Sequence, residues 1–317
     1  MGELHVIFGS GPLGQAVARE LAQRGNSIKM INRSGRKPDN MPNGVSVVAG
    51  DVFDVNVARG LANGATVVYQ CTNPPYDKWP EQFPRLQANT LEAAASAGAK
   101  YIVPENLYMY GDPQGQPLRE DMPFHAHTRK GQVRTQMAEA LMSAHRSGKV
   151  RVAVARASDF YGPGVLQSVS GNRMFGFAVE GKAADGTGNL DVLHTYTYIE
   201  DFGRTLAILG EREEALGQVW HVPNAETVTT RQFVTMIYEE LGQPVKIRAV
   251  GKMTLRMAGL FIPAARELVE MIYEFEKPFV VDSSKFTGMF GLTGTPIREG
   301  IKQTVAWYKK DLARQPS

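Results

Sequence analysis

The six residues Gly9-Ser10-Gly11-Pro12-Leu13-Gly14 stand directly after the apolar run Leu4-His5-Val6-Ile7-Phe8, so a Gly-x-Gly-x-x-Gly turn falls where a strand gives way to a helix. Nothing else in the chain constrains the fold as tightly. The first glycine permits the sharp turn, the second lets the backbone approach a pyrophosphate, and the third allows a helix starting near Leu13 to pack closely on the strand. The helix N-terminus then offers free amides and a partial positive charge to phosphates. A dinucleotide site is the expectation.

The rest of the first half supports a sheet that could carry such a turn. Short β-rich runs occur at Leu4–Phe8, Ser27–Asn32, Val45–Ala49, Thr66–Gln70, Tyr101–Val103 and Val150–Arg156, each separated by about one helix or loop. That alternation predicts an α/β fold, a Rossmann doubly wound parallel sheet with a smaller C-terminal substrate lobe. The alanine-rich stretch Leu86–Gly98 reads as a crossover helix closed by glycine. After Gly164 the pattern changes. A Gly/Asp-rich stretch precedes the run Val192–Ile199, and helices are expected at Thr230–Leu241 and Lys252–Phe275. We therefore expect a nucleotide domain over 1–164, with 192–223 returning to it, and a substrate lobe built from 165–191 and 224–317. Within the last helix, Met253, Met257, Leu260 and Phe261 recur at helical spacing and read as lobe core.

Composition narrows the function. With 317 residues, 43% of them hydrophobic, the chain can bury a large core, and a net charge of +3 is too small for a nucleic-acid surface. Cys71 is the single cysteine, which excludes an internal disulfide. His5, His194 and His221 have no second ligand at metal-binding spacing, so no metal is expected. No apolar run reaches membrane-spanning length and no basic-then-apolar leader opens the chain, so a cytoplasmic protein with no membrane partner is expected. The partner is a small-molecule substrate, with a homodimer left open.

The end of the second strand decides between the two nicotinamide dinucleotides. An acidic residue about 20 positions after the glycines would accept the ribose hydroxyls of NAD. Here that place is Asn32, followed by Arg33, Ser34, Gly35, Arg36 and Lys37. A carboxylate would repel a 2′-phosphate, whereas guanidinium, ammonium and hydroxyl groups bind it, so NADP is expected, with NAD as the alternative. Asp51 and Val52, after the third strand, suit an adenine pocket, although an Asx turn explains Asp51 equally well. Cys71-Thr72-Asn73, at the end of the fourth strand and stiffened by Pro74 and Pro75, falls where nicotinamide and substrate meet.

Taken in order, these segments resemble the extended, epimerase/dehydratase-like form of the short-chain dehydrogenase/reductase superfamily over nearly the whole chain. The glycine turn, Gly50-Asp51-Val52-Phe53-Asp54, the run Leu91–Val103 and Arg156-Ala-Ser-Asp-Phe-Tyr-Gly-Pro-Gly164 carry the resemblance, together with Tyr198–Leu206, Gly217–Val222, Asp282–Phe286 and Thr295–Tyr308. It implies chemistry by a Ser or Thr, a Tyr, and a Lys four residues after that Tyr. This chain departs from that set. Glu105-Asn106-Leu107-Tyr108-Met109-Tyr110-Gly111 puts Asn106 at the hydroxyl's place, and Lys130 and Arg134 take the places of the Tyr and the Lys. The chain thus looks like an atypical member. Asn106 would polarise a substrate oxygen, and Lys130 or Arg134 would hold the nicotinamide ribose. Lys130 or Tyr108 would handle the proton, with Tyr110, Tyr161, His125 and His127 as further acid/base candidates. Tyr273 and Lys277 also have the four-residue spacing, which we read as chance. The leading expectation is an NADP-dependent oxidoreductase acting on a small, partly apolar carbonyl metabolite. The alternatives are an epimerase/dehydratase of a sugar-type substrate and a non-catalytic, NADP-responsive regulatory protein.

Overall fold

The computed structural model describes residues 3–39 and 41–313. Six parallel strands form the centre of one sheet: β1 (Leu4–Phe8), β2 (Ser27–Asn32), β3 (Val45–Ala49), β4 (Val67–Gln70), β5 (Lys100–Glu105) and β6 (Arg151–Arg156). Their order is 3-2-1-4-5-6, with Val219–His221 as a seventh strand beside β6. The order reverses between β1 and β4, and in open α/β sheets that reversal opens the crevice where ligands bind. The loops that leave β1 and β4 are Gly9–Gly11 and Cys71–Pro75.

Four helices make the main crossovers: α1 (Pro12–Gln23), α2 (Val55–Ala62), α3 (Trp79–Ser96) and α4 (Arg129–Arg146). The third begins seven residues before the predicted Leu86. Pro80 sits in its first turn, where its missing N–H is not needed, and Pro84 is accommodated further in. Val6, Phe8, Val68, Tyr101, Val103, Val152 and Val154 of the strands pack with Phe83, Leu86, Met137 and Leu141 of the helices in one buried core.

The chain divides into two compact units, one of residues 1–109, 129–157 and 202–220, the other of 110–128, 158–201 and 221–317. Residues 110–128, 158–164, 192–201 and 221–223, which the sequence groups with the nucleotide domain, therefore cluster with the second unit. The run Val192–Ile199 is split into two very short strands. Leu193–His194 pairs with Val228–Thr229, and Thr197–Tyr198 pairs with Phe160–Tyr161. A third small sheet joins Ala184–Thr187 to Ile247–Val250. The unit's core gathers Tyr161, Phe175, Phe233, Tyr238, Val305 and Tyr308.

The predicted helix over Lys252–Phe275 is broken into Lys252–Ala258, Pro263–Leu268 and a 3-10 stretch Val269–Phe275. Gly259 and Pro263 interrupt it. The expectation that Met253, Met257, Leu260 and Phe261 form lobe core is overturned, because they are 73%, 64%, 71% and 85% exposed. Leu255, Ala265 and Ile272 make that small core instead. Of Tyr273 and Lys277, which share the four-residue spacing, Lys277 binds Asp112 and the Tyr273 ring meets His127.

One buried acid in this unit makes stability depend on pH. Glu274 is 2% exposed, and burial, reinforced by the nearby charge of Asp159, pushes its pKa well above the usual carboxylate range. A raised folded-state value means that the native chain keeps a proton which the unfolded chain releases above about pH 4.3. The contribution is therefore fully present below that pH and is lost as pH rises through the folded value. Glu274→Gln is expected to raise the melting temperature more at about pH 8 than at about pH 4. Equal shifts at both would show that the acid ionises normally.

Candidate cofactor and active site

All the residues expected to bind cofactor belong to the first unit, and their geometry begins at the glycine turn. Gly9 has φ +111, and a Cβ on it would stand 2.5 Å from the Cys71 carbonyl oxygen; one on Gly14 would stand 2.1 Å from the Gly9 oxygen. Both are glycine because backbone occupies the space a side chain needs. Gly11 differs, since a Cβ there meets nothing within 4 Å. It keeps a stretch of backbone open at the mouth of α1, whose first turn holds Pro12, Leu13 and Gly14. Such an approach, ending on a helix N-terminus, fits the pyrophosphate of a dinucleotide. Gln15 Nε2 donates to the Ser10 carbonyl and steadies the turn.

Asn32 ties this turn to the basic loop after β2. Its amide nitrogen donates to Ser10 Oγ and to the Arg36 carbonyl, both at 2.9 Å. Its amide oxygen accepts from the N–H groups of Ser34 (3.1 Å) and Gly35 (2.7 Å). An open cleft of about 680 Å³ results, lined by Ser10, Asn32, Arg33, Ser34, Arg36 and Lys37 together with Pro38 and Asp39. Across β3, Asp51 Oδ1 accepts from the Phe53 N–H in an Asx turn, the plainer of the two roles considered for it. Val52 is buried by its side chain, and its carbonyl is held by Asn89.

Beyond β4, the backbone of Cys71 supports the glycine turn, and burial pushes its thiol up to about 12. Gln70 Nε2 donates to both the carbonyl and the hydroxyl of Thr72, and Asn73 is exposed. The Trp79 indole N–H donates to the Pro74 carbonyl, which fixes the path of the loop.

The expected catalytic residues surround the end of β5. Asn106 is half-buried, and its side-chain oxygen accepts from the Tyr108 N–H at 3.3 Å, which orients the amide with its NH2 as donor. Lys130 is fully buried, with Nζ 4.4 Å from the centroid of the Tyr76 ring. The hydroxyl of Tyr76 donates to that of Tyr108 at 3.3 Å, and Trp79 lies edge-on to Tyr76 with centroids 4.9 Å apart. Tyr76, Tyr108 and Lys130 thus meet at the carboxyl ends of β4 and β5. Arg134 does something else. Its Nη2 donates to Glu105 Oε1 at 3.2 Å while Arg156 Nε donates to Glu105 Oε2 at 3.0 Å, and all three side chains are buried. The guanidinium of Arg134 also lies 4.8 Å from the Phe83 ring centroid. It braces the strand ends.

Neither Tyr76 nor Glu105 was singled out from sequence. The signal for Tyr76 was an aromatic residue directly after Pro74-Pro75 on the loop that leaves β4. For Glu105 it was an acid two residues beyond the predicted strand Tyr101–Val103. Tyr110 is packed against His221 and Phe124 in the second unit, and the exposed His125 belongs to that unit too. Among the described residues, no group of three or more His, Cys, Asp or Glu could hold a metal ion, and no helix is long and apolar enough to cross a membrane.

The family model described as NAD dependent epimerase/dehydratase matches residues 6–222. The chain belongs to that family. This epimerase/dehydratase-family chain is 27% identical over 272 residues to the 3-diazoavenalumate denitrifying reductase of a Streptomyces species, covering 81% of itself and 87% of the reductase. It is 23% identical over 325 residues to the UDP-glucose 4-epimerase of Corynebacterium glutamicum, covering 91% and 97%. The structure of an epimerase from Methanothermobacter thermautotrophicus superposes with a TM-score of 0.81 at 17% identity, over 98% of this chain and 94% of that one. That likeness establishes the extended Rossmann fold. As a member of the epimerase/dehydratase family, the chain is an NAD(P)-dependent enzyme, and the open backbone at Gly11 with the cleft below Asn32 fits a nicotinamide dinucleotide.

Proposed function

We propose that this enzyme is an NADP-dependent reductase of small, partly apolar carbonyl compounds. The observation that carries the proposal is Asn32. It stands where an NAD-binding carboxylate would be, and it organises a cleft whose cationic groups are Arg33, Arg36 and Lys37. A 2′-phosphate finds guanidinium, ammonium and hydroxyl donors there, residue 32 offers no carboxylate, and Asp39 is the one acid in the lining. Tyr76, Trp79 and Tyr108 supply an aromatic wall beside Lys130, which suits a substrate with an apolar body.

When bound, the reduced dinucleotide supplies hydride to the substrate carbon. The amide NH2 of Asn106 donates to the substrate oxygen, and the buried Lys130 ammonium stabilises the negative charge that develops there. Arg134 acts as a positioning residue, holding Glu105 and hence the end of β5 from which Asn106 emerges.

Calorimetric titration with NADPH and NADH tests the cofactor. NADPH is expected to bind at least about tenfold more tightly, roughly 1.4 kcal/mol, and Arg33→Ala/Arg36→Ala is expected to remove that preference. Equal affinities in the unaltered protein would overturn the NADP assignment. The 4-epimerase relative sets the rival reading, in which one bound molecule is oxidised and re-reduced. It predicts no net consumption of NADPH, whereas a reductase consumes one equivalent per product.

A further inference from the structure

We infer that Tyr76 is the proton donor of this site, paired through space with Lys130 and Tyr108. The inference rests on the reductase reading and adds the group which that reading lacks. A tyrosine and a lysine four residues apart on one helix would make a phenol acidic, but α4 carries Lys130 and Arg134 at those places, and Arg134 is committed to Glu105. The phenol comes instead from another element. Tyr76 opens the single turn Tyr76–Lys78 between β4 and α3, on one of the two loops that flank the reversal in strand order. Its ring face lies over the Lys130 ammonium at 4.4 Å.

Three features make this pair suited to proton transfer. Lys130 is fully buried, so its charge acts on the ring with little screening by water, and a nearby cation favours the phenolate over the phenol. The Tyr76 and Tyr108 hydroxyls are 3.3 Å apart. A hydroxyl proton rotates, so Tyr108 can turn to donate to the phenolate once Tyr76 has given up its own. Both tyrosines are half-buried, while Trp79, packed edge-on to Tyr76, closes one side.

The step balances. Hydride adds to the carbonyl carbon, the π pair moves to oxygen, and the forming alkoxide takes the phenolic proton of Tyr76. The phenolate, held by Lys130 and Tyr108, then recovers a proton from water. One carbonyl, one reduced dinucleotide and one solvent proton are consumed, and one alcohol and one oxidised dinucleotide leave.

The test uses the full chain, Tyr76→Phe, Tyr108→Phe and Lys130→Met, with two readouts. In the first, made without nucleotide, tyrosinate absorbance is followed as pH is raised, and subtraction of the Tyr76→Phe curve isolates Tyr76. Its ionisation is expected below that of ordinary tyrosine, about pH 10, and Lys130→Met is expected to return it there. In the second, NADPH oxidation is followed with 4-nitrobenzaldehyde as the probe. Tyr76→Phe is expected to lower kcat by about 10²-fold or more with its NADPH affinity unchanged, and Tyr108→Phe by less. A Tyr76 signal indifferent to Lys130→Met, or a Tyr76→Phe enzyme within about threefold of normal kcat, overturns the assignment. Failure of the unaltered chain to bind NADPH overturns the reductase reading instead. The same holds if the probe is not turned over, and the nucleotide-free titration then decides the Tyr76–Lys130 pair by itself.

Discussion

Glu105→Ala is expected to destabilise the first unit by about 3–5 kcal/mol, more than any other single side-chain truncation considered for this chain. Two guanidiniums, Arg134 and Arg156, share its two carboxylate oxygens, and both are nearly inaccessible to water. Removing the acid leaves two like charges buried near each other, and the face of Phe83 offers only a weak substitute for a carboxylate. Glu105→Gln, which keeps the shape but not the charge, is expected to cost less. Urea unfolding followed by a probe in the first unit measures both, because a chain with two compact units need not melt in one step. A loss below about 1 kcal/mol for Glu105→Ala would mean that water reaches the arginines and that the triad holds nothing in place.

The glycine turn yields the second large effect, and it separates folding from binding. Gly14→Ala sets a methyl 2.1 Å from the Gly9 carbonyl oxygen, a backbone atom with nowhere to move. Gly9→Ala adds a strained φ of +111 to a 2.5 Å collision with Cys71. Both are expected to lower the melting temperature and to abolish NADPH binding together. Gly11→Ala has no such collision and an ordinary backbone conformation, so its melting temperature should be unchanged. Its methyl nevertheless stands in the approach to the backbone, and NADPH affinity is expected to fall about tenfold or more, roughly 1.4 kcal/mol. If Gly11→Ala binds NADPH normally, the pyrophosphate does not lie on this turn.

The fold could be read from sequence where local chemistry and tertiary packing agree. Leu4–Phe8, Ser27–Asn32 and Val45–Ala49 are strands to the residue, because each is a short β-rich run with a glycine within three residues of at least one end. Thr230–Leu241 is likewise a helix with the predicted limits. Thr229 and Gln232 form a capping box at its start, and Gly242, at φ +66, terminates it. In Lys252–Phe275 the two levels disagree. Apolar residues recur at helical spacing there, but spacing does not say which face meets a core, and Gly259 and Pro263 break the helix. The site divides in the same way. The cofactor residues are contiguous in sequence and visible as motifs, whereas Tyr76 meets Lys130, and Glu105 meets Arg134 and Arg156, only after β4, β5, β6 and α4 have come together. No spacing rule along the chain encodes those pairs.

The hydrogen bonds of Asn32 carry a consequence for how selectivity arises. Its amide nitrogen binds Ser10 and Arg36 and its amide oxygen binds Ser34 and Gly35, so hydrogen bonds within the protein hold the loop's shape. The ordering entropy of that loop is then lost when the chain folds and is not charged against the ligand on arrival. On the proposed NADP reading, selectivity would then belong to a pre-shaped receptor, and NADPH association is expected to proceed without a slow closing phase. An Asn32→Asp substitution would act twice: it would add a repelling charge, and, because a carboxylate cannot donate, it would also release the tethers to Ser10 and Arg36. A change that looks like a simple exchange of cofactor preference would thus also convert a rigid receptor into one that the ligand must organise for itself.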